Sequence, residues 1–319
     1  MKSKIENEIF VPEILPPSED GVFKTLLMHP DAKPVLRDVI ASILNIPVAD
    51  VTVRNNELPI SDIGKKRERF DVNCRTEDGR QIDVEMQTTP MDGDSAATSH
   101  KNLKKRAVYY VCDLYASQEG RSTDYGDLMQ SFQITFCGFT VFPQREDFVG
   151  NFRFRDETGE EFSDAVGIVF VELSKLSAAM KKPVLEMTPA EQWSIFFAYA
   201  NEPKHGELLR EIIMTKEEIG MANEILTGIS QDEKERAHYR SRKMYLMDEA
   251  HKMAVLRKEI EAGREEGRKE GREEGRKEGR EESKAEMARN ALAIRLPIEQ
   301  IQMLTGLSCA EIERLRDAD

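Results

Sequence analysis

Two runs between Phe70 and Gln87 alternate apolar and polar residues. Phe70, Val72 and Cys74 alternate with Asp71, Asn73 and Arg75, while Ile82, Val84 and Met86 alternate with Gln81, Asp83, Glu85 and Gln87. Such alternation predicts a pair of half-buried strands, and Thr76-Glu77-Asp78-Gly79-Arg80 between them predicts a turn. A two-residue Asp78-Gly79 turn sets Asp71 opposite Met86 and mixes the faces. A three-residue loop, Glu77-Asp78-Gly79 with Gly79 left-handed, pairs Val72 with Val84, Phe70 with Met86 and Cys74 with Ile82. A slip of one residue turns every side chain to the other face, so the register that gathers the apolar pairs is the expected one. That register sets Asp71 opposite Glu85 and Asn73 opposite Asp83. Opposed Cβ atoms lie about 5 Å apart, and like charges so placed repel. A divalent cation between Asp71 and Glu85 relieves the repulsion. The plain alternative is that the acidic face is simply solvated.

The pattern elsewhere predicts a mixed α/β or α+β core. A helix over "DGVFKTLL", capped by Ser18 or Asp20, precedes a second over "DAKPVLRDVIASILNIP", ended by Pro47. "VADVTVRNNELPI" predicts an edge strand leading to the hairpin. From about Ser99 to Ser117, Leu103, Ala107, Tyr110, Val111 and Leu114 form one helical stripe. "SFQITFCGFTVF" predicts a buried strand, "NFRFRDETGEEFSD" a hairpin and "VGIVFVEL" a further strand. Thr188 to about Glu261 is predicted to be largely helical.

At residue 263 the composition changes to an eight-residue repeat, GREEGRKE. Pairs such as Glu265–Lys269 support helix, while glycine at every fourth position costs about 0.8–1 kcal/mol each against alanine. Without apolar seam positions it reads as a solvated helix or tether and not as a coiled coil. From Ser283 onward Met287, Ala291 and Ile294 restore helical periodicity, and "LPIEQIQMLTGLSCAEIERL" predicts helix, Gly306 turn and helix. The second of these helices offers Glu311, Glu313, Arg314 and Arg316, a nearly neutral set where a DNA-reading helix leans basic. A small helical clasp for self-association or protein contact is the better reading.

The net charge of −13 over 319 residues argues against non-specific coating of nucleic acid, which needs lysine and arginine on phosphates. Local basic runs do exist, Gly64 to Arg69 before the hairpin and His100 to Arg106 after it. The cysteines, Cys74, Cys112, Cys137 and Cys309, are far apart, which suits a reducing compartment without structural zinc. No stretch is apolar enough for a membrane span, and the start lacks the apolar core of a signal peptide, so the cytoplasm is the expected location.

Taken in order, "DGVFKTLL", a lone Asp before a hairpin, "VEMQ", "RAVYY…LY" and "VFVELSKL" resemble the Rpn family, the PD-(D/E)XK nuclease family transposases or recombination-promoting nucleases. The G-R-E-E tract and "TGLSCAEIERL" resemble that family's tail. The resemblance implies a restriction-endonuclease-like α/β core, a central mixed sheet flanked by helices with a helical C-terminal extension, cutting DNA with Mg²⁺. Asp71 corresponds to the motif's first acid and Glu85-Met86-Gln87 to its (D/E)-x-K. Asp71 and Glu85 are therefore the expected metal ligands and, with Gln87, the expected catalytic residues. The departure is Gln87 where the wider superfamily has lysine. A lysine acidifies water and neutralises phosphate, whereas Gln orients water through its amide. Lys104 and Lys24 are the candidates to supply the missing charge. Lys104, Lys105 and Arg106 are candidate phosphate contacts, Arg106 equally a brace for a carboxylate, and Asp20 a candidate accessory contact to the metal.

The organisation expected is a nuclease-like core over 1–187, a helical extension over 188–261, the tether over 262–282 and a helical tail over 283–319, through which a homo-oligomer would form. Two other functions fit the residues. One is a fold of this type that binds DNA or protein and has lost cleavage, a reading fed by Gln87 and the acidic charge. The other is a glycoside hydrolase using Asp71 and Glu85 as a pair about 5 Å apart, which the lack of aromatic sugar platforms disfavours.

Overall fold

The computed structural model describes residues 14–54, 72–89, 96–118 and 124–317, which divide into two compact units, one ending at Ser241 and one running from Arg242. The basic run from Gly64 to Arg69 lies outside the described residues, as does Asp71.

The first unit is built on a six-stranded mixed sheet in the order β1-β2-β3-β4-β6-β5, comprising β1 (Val51–Val53), β2 (Val72–Thr76), β3 (Gln81–Gln87), β4 (Ser131–Cys137), β5 (Val149–Arg155) and β6 (Glu161–Glu172). The β2–β3 hairpin has the expected register, with Val72 against Val84, Asn73 against Asp83 and Cys74 against Ile82. Its loop closes with the Thr76 N–H donating to Arg80 O at 3.0 Å, and Gly79 sits at φ +95°. A β-carbon at Gly79 would lie 2.9 Å from Met129 Cγ and 3.2 Å from Arg75 Nη2. Gly79→Ala is therefore expected to destabilise the fold by about 1–2 kcal/mol through strained backbone alone, read as a lower urea midpoint at unchanged slope. The edge strand is β1, as expected. The hairpin arm after Gly159 and the strand ending at Glu172 were expected as separate strands, but they are one continuous β6, because Ser163-Asp164-Ala165 continue its extended course.

Helices cover both faces. Ile82, Val84 and Met86 of β3 join Phe132, Ile134 and Phe136 of β4 in the main core, against α1 (Asp20–Leu27) and α2 (Lys33–Leu44). α2 ends at Asn45 in the left-handed region, two residues before Pro47. The expected cap of α1 is not formed: Glu19 holds the cap position without a capping side-chain hydrogen bond, and Asp20 is the first helical residue, where a carboxylate suits the helix dipole. Phe23 of α1 is fully buried, 5.7 Å from the Phe136 ring and 5.1 Å from that of Phe197.

The expected boundary at 187 is not one in the packing. α4 (Pro189–Tyr199), α5 (Gly206–Thr215) and α6 (Glu217–Gln231) put Trp193, Phe196, Phe197, Ile212 and Leu226 into the same core as the sheet. Asp38 of α2 fastens them, accepting from Trp193 Nε1 at 2.6 Å and Lys216 Nζ at 2.8 Å. The opposite sheet face is covered by α3 (Ala96–Ala116), whose Leu103 and Ala107 pack with Cys137, Val141 and Phe170.

α7 (Glu233–Ala293) carries the GREEGRKE repeats as exposed helix. In the second unit Ala288 and Ala291 near its end pack against Ile301 of α8 (Ile298–Thr305) and Ile312 of α9 (Cys309–Asp317). Gly306 makes the expected turn at φ +71°. Met287 and Ile294, expected on the packed stripe, are instead 50% and 72% exposed, because the small Ala288 and Ala291 let the helices approach.

Candidate functional site

β3 is a central strand, flanked by β2 and β4, so its two faces meet different surroundings. Gln81, Asp83, Glu85 and Gln87 share the face under α3. The ladder places Asp83 beside Gln133 and Glu85 beside Thr135. This face is not solvated: Asp83 is 0% exposed, Glu85 4%, and Gln133 and Thr135 are 0%. The expected half-buried hairpin is covered on both faces, because the apolar stripe of α3 needs a partner and takes this side of the sheet.

The helix also delivers a cation. Arg106 Nη2 donates to Glu85 Oε2 at 3.0 Å and to Gln87 Oε1 at 2.9 Å, and its guanidinium lies 5.5 Å from the Tyr110 ring centre. Gln87 is held at its other end, where Nε2 donates to Thr89 O at 2.8 Å. The start of α1 closes the same end of β3, with Thr88 Oγ1 donating to Ser18 O at 2.9 Å. Burial raises the Glu85 pKa; Arg106 opposes the shift, and the charge of Asp20 adds to it. Glu85, Gln87 and Arg106 thus meet, from a strand and a helix, with Asp20 at the start of α1 near enough for its charge to act on Glu85.

The expected trio of phosphate contacts divides. Successive helical residues turn by about 100°, which sends Lys104 to the flank of α3 opposite Arg106. Lys104 Nζ lies 4.2 Å from the Phe142 ring centre. With His100, Lys101, Lys105, Val108, Val141 and Pro143 it lines a cavity of about 580 Å³. Lys24 is one turn beyond Asp20 on α1, at that helix's basic end. Neither Lys104 nor Lys105 joins Arg106 at Glu85.

Two polar residues that the alternation argument did not single out belong to this face, and a third stands on α3. The Gln133 amide, Thr135 Oγ1 and Asp113 Oδ2 are buried and have no hydrogen-bond partner among the described residues. The signal for the first two was present in "SFQITFC", where Ser131, Gln133 and Thr135 alternate with Phe132, Ile134 and Phe136. Asp113 sits on the α3 flank of Arg106 and Tyr110, seven and three residues further on.

A divalent ion suits the donor chemistry here. Among the described residues no group of three or more His, Cys, Asp or Glu side chains is arranged to hold a metal. What gathers is hard oxygen: the Glu85 carboxylate, Asp20 close enough for its charge to act on it, and the orphaned Thr135 hydroxyl alongside. Cys137, next to Gln87 in the ladder, stays a thiol, its pKa pushed up by burial and then by Glu172 and Glu85. An oxygen set without thiolate matches Mg²⁺ or Ca²⁺ and not a soft metal.

A three-layer helix–sheet–helix core with an acid and an amide two residues apart at the end of a central strand defines a restriction-endonuclease-like protein. Residues 17–255 match the family described as PD-(D/E)XK nuclease family transposase, and the chain belongs to that family. Searches of curated proteins and of solved structures gave no match. The fold is that of a PD-(D/E)XK nuclease, a class that typically works with divalent metal ions on DNA. No helix among the described residues is long and apolar enough to cross a membrane.

Proposed function

We propose that the chain is a Mg²⁺-dependent DNA endonuclease whose site is formed by Asp71, Glu85 and Gln87, and that its cuts promote recombination. The observation that carries the reading is Glu85: a buried carboxylate on a central strand, beside an arginine and a helix-terminal aspartate, within the family's fold. A carboxylate is costly to bury, and a packed face of this kind has no structural need of one.

Asp71 and Glu85 are the residues that would hold the ion. Bound there, the ion supplies Lewis acidity toward a phosphoryl oxygen and a more acidic water. The protein's part is to bind and orient. Gln87 retains one amide proton and one carbonyl lone pair beyond its two bonds, enough to direct a water at phosphorus. The covering helix α3 limits bulk water around Glu85, which strengthens every charge interaction there. Water oxygen bonds to phosphorus and gives up a proton to solvent, the bond from phosphorus to the leaving oxygen breaks, and the departing oxygen takes a proton from solvent.

The competing reading, a fold that binds without cutting, draws on Gln87 in place of lysine. Asp71→Ala separates them. In Mg²⁺ the variant is expected to retain duplex binding in a gel shift within about threefold while cleavage falls by about 10³-fold. Equal cleavage by variant and parent would discard Asp71 as a ligand, whereas duplex binding by both with cleavage by neither would favour the binding module.

A further inference from the structure

The positive charge of this site comes from a helix and not from the strand. Position 87 carries an amide, yet the space between residues 85 and 87 is not without a cation. Arg106 Nη2 bridges Glu85 Oε2 at 3.0 Å and Gln87 Oε1 at 2.9 Å. We propose that Arg106 is the catalytic cation of the site, stabilising the charge that develops on the phosphate, and that Gln87 is the positioning residue that holds it there. The inference rests on the nuclease reading above.

Geometry carries it. A lysine at 87 would bring its ammonium to the region beside Glu85, and Arg106 fills that region from α3. The other candidates for the charge point elsewhere: Lys104 stands over Phe142, and Lys105 lines the cavity on the far flank of the helix. Gln87 is anchored through Thr89 O at 2.8 Å, so its carbonyl is presented to the guanidinium in one orientation. The Tyr110 ring, 5.5 Å away on the same helix, backs the guanidinium. Were Glu85 to hold a divalent ion, the bond to Gln87 Oε1 at 2.9 Å would still anchor Arg106 next to it. A guanidinium is planar, forked and permanently charged, the form best matched to phosphate oxygens. Arg106 therefore contributes charge and takes no proton in the reaction, and the amide at 87 suits it because an ammonium there would repel it.

Moving the charge tests this. Arg106→Gln removes the charge while leaving a polar side chain on the helix, and it is expected to lose about 10²-fold in kcat on supercoiled plasmid. Adding Gln87→Lys to that variant, which returns the cation to the strand, is expected to recover kcat to within about tenfold of the parent. With EDTA present, fluorescence anisotropy on a labelled duplex is expected to give affinities within about threefold for all three proteins, since the loss of one positive charge changes duplex affinity only modestly. Arg106→Lys provides the second route if Arg106→Gln fails to fold, and it is expected to stay within about tenfold of the parent because the charge is kept. Full activity of Arg106→Gln overturns the inference and leaves the nuclease reading standing. So does a folded double variant as slow as the single one. A parent protein that cuts nothing in Mg²⁺ overturns both.

Discussion

Glu85→Gln is expected to reduce Mg²⁺-dependent cleavage of plasmid DNA by about 10³-fold, with the circular dichroism spectrum unchanged. The size follows from what a bound ion supplies: several kcal/mol of stabilisation for the transferring phosphoryl group, at about 1.4 kcal/mol for each factor of ten. Gln keeps the shape of Glu85 and an oxygen able to accept from Arg106 Nη2, so the sheet and α3 stay joined where the ion pair now spans 3.0 Å. Only the formal charge is removed. Calorimetric titration with Mn²⁺ should show affinity falling along with the rate. A rate within about tenfold of the parent would mean that Glu85 is a structural partner of Arg106 and nothing more.

Phe23→Ala is expected to cost about 3–5 kcal/mol of stability, read by urea denaturation. Phe23 is fully buried, and its ring meets those of Phe136 on β4 and Phe197 on α4, which themselves lie 5.2 Å apart. Truncation leaves a cavity where α1, the sheet and α4 converge, and the rigid rings around it cannot collapse to fill it. The same helix begins with Asp20, beside the end of β3. Cleavage by the surviving folded fraction should therefore fall too, as the carboxylate of Asp20 shifts with its helix. A loss below about 1 kcal/mol would show that α1 is held mainly by its other contacts.

Much of the frame was legible in the residues. The hairpin register followed from period-two alternation, because only one loop length brings Val72 to Val84, and Gly79 is the residue that this loop requires at positive φ. The stripe of α3 was equally plain, but a stripe does not say which sheet face it will cover. Whether the acidic face was wet or packed depended on that choice, which tertiary packing makes. The role of Arg106 was open for the same reason: a basic run gives charge, and only the helical phase against the sheet sends Arg106 to Glu85 and Lys104 to Phe142. The helices after residue 188 looked like an extension because their apolar residues had no visible partner in sequence; Trp193 and Phe197 find theirs against α2 and the sheet. Gln133 and Thr135 were hidden by a simpler habit, since a strand rich in Phe and Ile reads as buried throughout and its polar alternation is easily passed over.

The most direct measurement is cleavage of supercoiled plasmid by the purified full chain, in Mg²⁺ and in EDTA. Nicked or linear product that forms in Mg²⁺, is absent in EDTA and is lost with Glu85→Gln is the result expected of a nuclease built on this sheet end. Intact plasmid at every Mg²⁺ concentration, with folded protein that still shifts DNA in a gel, would contradict it.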